Sequence, residues 1–239
     1  MRTLNPSLLF IFILMLSFVG CKSDKNTSAG PSSGNEGGGN PFSCVAGTPE
    51  CFGGLNCEGL WQEELKNQPK GLMKQHRLDD KILVDGKTTL MMSAEEKVEV
   101  TDATSETITK RVTFTTTYPA NTSTTKVKTD EKSKFLEICK KLGTNGLPLP
   151  SGTQVGGQIL AQKDEFITVI AGTFDTQYVK IKSTITVGDK TVETFFENWL
   201  TKELKIRLQA KAIMQIPSTF DGKTSVSIKE LELMDYRIP

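Results

Sequence analysis

The chain has 239 residues, of which 37% are hydrophobic and 24% charged, with 29 Lys and Arg against 28 Asp and Glu. A balance this even excludes the basic bias of nucleic-acid binders and of proteins drawn to anionic lipid headgroups, so no nucleic-acid partner is expected. Removing residues 1–20 takes away a single charge, Arg2, and leaves the remainder neutral.

Met1 to Ser7 carries that one positive charge, and the run from Leu8 to Gly20 is apolar and ends at Cys21. A basic start, an apolar stretch of roughly 7–15 residues and a small residue before the cut make a secretory signal, here residues 1–20. A membrane-spanning helix would need about 20 apolar residues, and this run is shorter and is followed by polar sequence. Phe18-Val19-Gly20-Cys21 resembles the lipobox of bacterial lipoproteins, in which lipoprotein signal peptidase cuts before a cysteine whose thiol carries a diacylglycerol. Phe18 stands where leucine is the commoner residue. The resemblance covers residues 1 to 21 and implies an exported chain held to a membrane by acyl groups, palmitate among them, on Cys21. Each buried CH₂ contributes about 0.8 kcal/mol, so two or three acyl chains hold firmly where one holds marginally. Lys22 follows the cysteine where an Asp would retain enteric-type lipoproteins in the inner membrane, so the same resemblance favours the outer membrane.

The segment 21–43 is dominated by Ser, Gly, Asn and Thr, including Gly30-Pro31-Ser32-Ser33-Gly34 and Gly37-Gly38-Gly39-Asn40. It cannot bury enough apolar surface to offset its ordering entropy, and it reads as a flexible tether with a reach of about 25 Å. Residues 44–239 then suit one globular β-rich domain. Besides Cys21 there are Cys44, Cys51, Cys57 and Cys139, an even number in an exported chain, which predicts two disulfides. Three connectivities are open; Cys44–Cys51 with Cys57–Cys139 is preferred because it ties the entry segment to a later helix. A zinc site is the rival, but the cysteine spacings exceed those of zinc motifs and His76 is the only histidine, so no metal and no cofactor are expected.

In chain order, Glu58 to Lys66 predicts a short helix burying Leu60, Trp61 and Leu65 and stopping near Pro69. Ile82-Leu83-Val84, Asp85-Gly86 and Lys87 to Met92 predict a hairpin, since Asp-Gly supplies the positive φ of a tight turn. Thr107 to Tyr118 alternates, with Ile108, Val112, Phe114 and Tyr118 on one face. Pro119 to Thr125 reads as a polar connection. Asp130 to Leu142 predicts a helix with Phe135, Leu136, Cys139 and Leu142 on its core side and Gly143 as C-cap. Phe166 to Phe174 is apolar on both sides and predicts a central strand. Val179 to Val187 alternates as a half-buried strand. Thr191 to Lys202 places Val192, Phe195, Phe196, Trp199 and Leu200 on one helical stripe, read as core rather than as a ligand wall. Leu204 to Ile216 and Val226 to Leu233 make a last hairpin around Ser218 to Gly222, with a bulge near Lys229-Glu230. The fold class these pieces give is α+β, mainly β: a curved antiparallel sheet with two or three packed helices.

Motifs for chemistry fail on inspection. Gly86-Lys87-Thr88 and Gly222-Lys223-Thr224 end like phosphate loops, but the required glycine five positions earlier is Lys81 in one and Pro217 in the other. His76 with Asp79 and Asp80 could be a base with an orienting carboxylate; a solvated turn before the first hairpin is the preferred reading, because no nucleophile or oxyanion donor is placed beside it. Gly59-Leu60-Trp61 is similar to the Gly-x-Trp that opens the first strand of lipocalins, which would imply a β-barrel carrying a small apolar ligand. The leading expectation is a non-enzymatic module, anchored through lipid, that binds a protein or envelope partner.

Overall fold

The structure, a computed structural model, describes residues 51–52, 55–145, 153–187, 190–202, 204–220 and 222–239. The signal, Cys21, the tether 21–43 and Cys44 lie outside the described residues. Two residue pairs, β1 (Cys51–Phe52) and β2 (Leu55–Asn56), form a minimal ladder ahead of helix α1 (Cys57–Asn67). Asn56 caps that helix by accepting from Gly59 N at 2.8 Å. A first meander follows: β3 (Met73–Val84), β4 (Lys87–Ala103), β5 (Thr107–Tyr118) and β6 (Thr122–Glu131). After helix α2 (Lys132–Asn145) comes a second: β7 (Thr153–Val169), β8 (Gly172–Val187), β9 (Lys190–Thr201), β10 (Gln209–Phe220) and β11 (Lys223–Arg237).

The nine long strands make one antiparallel sheet in the order β6-β5-β4-β3-β11-β10-β9-β8-β7. Every neighbour is also a sequence neighbour except at the centre, where β11 returns to pair with β3, Leu231 opposite Leu78 and Arg237 opposite Met73. Asp85 and Gly86, with φ of 49° and 76°, make the tight turn between β3 and β4 that the sequence predicts.

Because opposed residues in an antiparallel ladder share a face, the registers sort the side chains into two sets. The inner face carries His76, Leu78 and Ile82 of β3, Ala94 and Val98 of β4, Leu231 and Leu233 of β11, Ala212 and Met214 of β10, and Phe196 of β9. The outer face carries Arg77, Asp79, Lys81, Glu230, Glu232 and Lys211. The main core sits at the end of the sheet where α1 and the segment 204–208 close over it, and it joins Trp61, Leu72, Val100, Ile108, Phe174, Ile206, Leu208 and Leu233. Register shifts between Ile159 and Ala161, Asp80 and Lys81, and Leu233 and Asp235 mark bulges, which bend strands and add to the curvature of the sheet. The bend brings the β7–β8 turn back over β11, with Ala171 N donating to Leu233 O at 3.1 Å and Phe174 against Tyr236 at 5.7 Å.

Five expectations are corrected. The class is mostly β, not α+β: the two helices of 11 and 14 residues touch each other and form no layer over the sheet. Thr191 to Lys202 is strand β9, because Phe196 and Asn198 are buried on the inner face while Phe195, Glu197 and Trp199 project outward. Phe166 to Phe174 is an edge hairpin rather than a central strand, with Phe166 72% exposed. Thr122 to Glu131, read as a polar connection running into a helix, is strand β6, held by its backbone pairing to β5 and by hydroxyl contacts such as Thr113 to Thr125 at 3.0 Å. The last bulge also falls at Met234 rather than near Lys229-Glu230.

Candidate functional site

The sequence put Cys57 and Cys139 into one of two disulfides, and they are bonded, with Cα atoms 5.8 Å apart. Both are buried beside Leu60, Phe135 and Leu136, so the bond fastens α1 to α2. The Cys51 side chain, like Cys44, lies outside what is described.

His76 is neither a base nor part of a solvated turn. It sits within β3, 3% exposed, with Nε2 3.0 Å from Gln209 O. Burial and the Lys74 charge push its pKa down to about 4, so the ring is neutral at physiological pH. Strand alternation throws Asp79 to the opposite face, where it accepts from Ser93 Oγ at 2.7 Å. Asp80 pairs with Lys229 at 2.8 Å. The orienting carboxylate that general-base chemistry would need is therefore engaged elsewhere.

Gly59-Leu60-Trp61 lies in α1, not in a strand, and Trp61 is fully buried with Nε1 donating to Ser105 O at 2.8 Å and its ring 5.4 Å from Phe135. The lipocalin comparison fails on the sheet as well: β6 and β7 are its two ends and do not pair, so the described strands do not close into a barrel. Of the two phosphate-loop mimics, Gly86 lies in the β3–β4 turn and Gly222, at φ 74°, in the turn between β10 and β11.

Sequence reasoning missed an ionisable group on the inner face. Lys74 of β3 and Lys110 of β5 project beneath α1 toward Glu64. Burial raises the Glu64 carboxyl pKa and lowers that of the Lys74 ammonium, and the Lys110 charge lowers it further. Glu64 accepts from Gln68 Nε2 one turn on, and Lys110 pairs with Asp130 at 2.6 Å. The available signal was Lys110 at the apolar phase of β5, between Ile108 and Val112; on β3 the inner positions also carry His76 and Asp80, among which Lys74 does not stand out.

The outer face is a lattice of paired charges. Arg77 meets Glu232 at 2.7 Å and Asp79 at 3.5 Å, and Lys81 bridges Asp79 and Glu230. A cavity of about 30 Å³, room for a water molecule, lies among Arg77, Asp79, Lys211 and Glu232. Farther along the face, Tyr178 and Trp199 stack at 4.8 Å, with Trp199 Nε1 donating to Glu165 at 2.8 Å. Hydrogen bonds from Lys163 and Trp199 hold the Glu165 carboxyl below its ordinary pKa, whereas burial raises the Tyr178 phenol.

Beyond these internally satisfied faces lie the two ends. β6 is exposed along nearly its whole length, with Val127 68% exposed. On β7, Ile159, Leu160 and Phe166 are exposed at 41%, 43% and 72%. Each end strand has one hydrogen-bonded neighbour, leaving its outward N–H and C=O groups without a strand partner among the described residues. No helix among the described residues is long and apolar enough to cross a membrane.

No protein-family model matches the sequence, and no curated protein is similar to it. Among solved structures the chain is similar to a candidate lipoprotein from Parabacteroides distasonis ATCC 8503, at 13% identity and a TM-score of 0.38, over 72% of this chain and 98% of that one. It is also similar to a candidate exported protein with a YmcC-like fold from Bacteroides fragilis NCTC 9343, at 11% identity and a TM-score of 0.34, over 72% and 97%. Likenesses this weak carry no functional argument.

Proposed function

We propose that the chain is an exported envelope lipoprotein, anchored by acyl groups on Cys21 in the outer membrane, whose β-rich domain is a non-enzymatic module binding a protein or envelope partner. The observation that carries the binding role is the open sheet. Both of its faces are engaged internally, the inner by apolar packing with a few ion pairs such as Asp80 with Lys229 and the outer by ion pairs, while its edges offer unfilled backbone groups. β6 suits strand addition by an extended segment of a partner, in which main-chain hydrogen bonds give affinity and side chains give selectivity. Lys126 and Lys128 on that edge favour an acidic segment and discourage indiscriminate pairing. Anchoring rests on the lipobox-like sequence Phe18 to Cys21.

Two measurements test the reading. Native mass spectrometry of the protein released in detergent from its own membranes is expected to give acylated Cys21 to Pro239; an unmodified full-length mass overturns the anchor. Photo-crosslinking in cells from a probe at Val127 is expected to give a discrete adduct that a probe at Lys87, in the first hairpin, does not give. Equal labelling from both positions overturns the role of β6.

A further inference from the structure

The two edges are not equivalent. On β6 the exposed side chains are threonines and lysines around the single large apolar residue Val127. β7 instead shows Ile159, Leu160 and Phe166 on either side of a short charged stretch, Lys163-Asp164-Glu165. Its protection is limited to the bulge at Leu160 and that charged stretch, and Ile159, Leu160 and Phe166 remain exposed toward another strand.

We propose that β7 is a homodimer edge: two copies of the chain pair β7 to β7, antiparallel, about a two-fold axis through Asp164, joining two nine-stranded sheets into one. The register follows from charge and face. Pairing that keeps the inner faces on the same side of the joined sheet must be centred on a residue, not between two, because opposed residues share a face. Centred on Asp164, it sets Lys163 of each copy opposite Glu165 of the other, two cross-strand ion pairs on the outer face. Within one copy Lys163 and Glu165 already approach to 2.7 Å, so both side chains lie on that face. Centring on Lys163 or Glu165 also opposes like charges and forms neither cross-strand ion pair, so the Asp164 register, which opposes two carboxylates but gains both pairs, is favoured. Asp164, which meets itself at the axis, is neutralised within its own copy by Lys202 at 2.7 Å. The contact is isologous and closes on itself, so it yields a dimer, not a fibre.

Disulfide trapping in the full-length protein, in detergent, tests the register directly. Residues directly opposed across an antiparallel pair have Cα atoms about 4.5–5.5 Å apart, within reach of a disulfide. Asp164→Cys is therefore expected to cross-link under mild oxidation, and Gln162→Cys, which would face Phe166, is not. Glu165→Lys places like charges opposite one another and is expected to weaken dimerisation about tenfold by analytical ultracentrifugation. The charge-swapped pair Lys163→Glu with Glu165→Lys restores it. A monomer at all concentrations, equal trapping at positions 162 and 164, trapping through Val127→Cys on β6 instead, or failure of the charge swap to rescue would each overturn the proposal.

Discussion

Removing the Cys57–Cys139 bond is the perturbation whose size the structure fixes best. The two cysteines are 82 residues apart in sequence, and the loop they close contains β3 to β6, the whole first meander. In the chain-entropy account a loop of that length restrains the unfolded ensemble by about 4.5 kcal/mol at 25 °C. For a domain of roughly 150–250 residues each kcal/mol moves Tm by about 2–4 °C, so Cys57→Ala with Cys139→Ala should lower Tm by about 9–18 °C. Both sulfurs are buried among Leu60, Phe135 and Leu136, so lost packing adds to this figure. The assay is thermal unfolding of the two proteins in the same detergent, followed by far-ultraviolet circular dichroism and by tryptophan fluorescence, with urea titrations alongside. Because the uncrosslinked chain unfolds to a more expanded ensemble, its urea m-value should rise. A fall in Tm of under about 3 °C with an unchanged m-value would refute the reasoning. So would an unshifted strand signal with early loss of Trp61 fluorescence, since the helices would then be an appendage whose release leaves the sheet intact.

Three further outcomes follow from individual side chains. The His76 pKa is about 4 when folded and about 6.5 when unfolded, so its contribution to stability is full above pH 6.5 and is lost toward pH 4, at up to about 1.4 kcal/mol per unit. His76→Gln should flatten that part of the pH–stability curve, and an unchanged slope would locate the effect elsewhere. Trp61→Ala should cost about 3–5 kcal/mol by urea unfolding, because it empties the centre of the main core and leaves Ser105 O without its indole donor. Lys74→Met should be neutral or stabilising by about 1 kcal/mol, since it removes an ammonium whose burial opposes its charge; a loss of more than 1 kcal/mol would mean that Lys74 makes a compensating interaction.

What could be read from the sequence divides along physical lines. β5 matches its expected bounds, Thr107 to Tyr118, because Ile108, Val112, Phe114 and Tyr118 keep one phase despite Lys110 and its inner residue Ile108 is fully buried. Asp85-Gly86 located the first hairpin because few other dipeptides accept two positive φ angles. β9 was misread because Val192, Phe196 and Leu200 recur every fourth residue, a spacing that both an even strand period and a helical period satisfy. The aromatic and β-branched content of Thr194, Phe195, Phe196 and Trp199 was the better guide there. β6 escaped notice because an edge strand exposed on both faces has no apolar pattern to show; its threonines and its neighbour β5 specify it. The Lys74 and Glu64 group was illegible for a different reason, since it needs β3 and α1 brought together across space.

The seam between β3 and β11 also sets an order of events. Among the described strands it is the one long-sheet pairing between partners that are distant in sequence, it lies at the middle of the sheet, and it cannot form until β11 has emerged. Contacts of such long sequence separation form slowly, because chain closure must precede their reward. For a chain that crosses a membrane unfolded, as the proposed export requires, this topology delays commitment: the first meander can form hairpins during passage, but the completed core waits for β11. On that proposal, strand order keeps the fold incomplete until β11 has crossed.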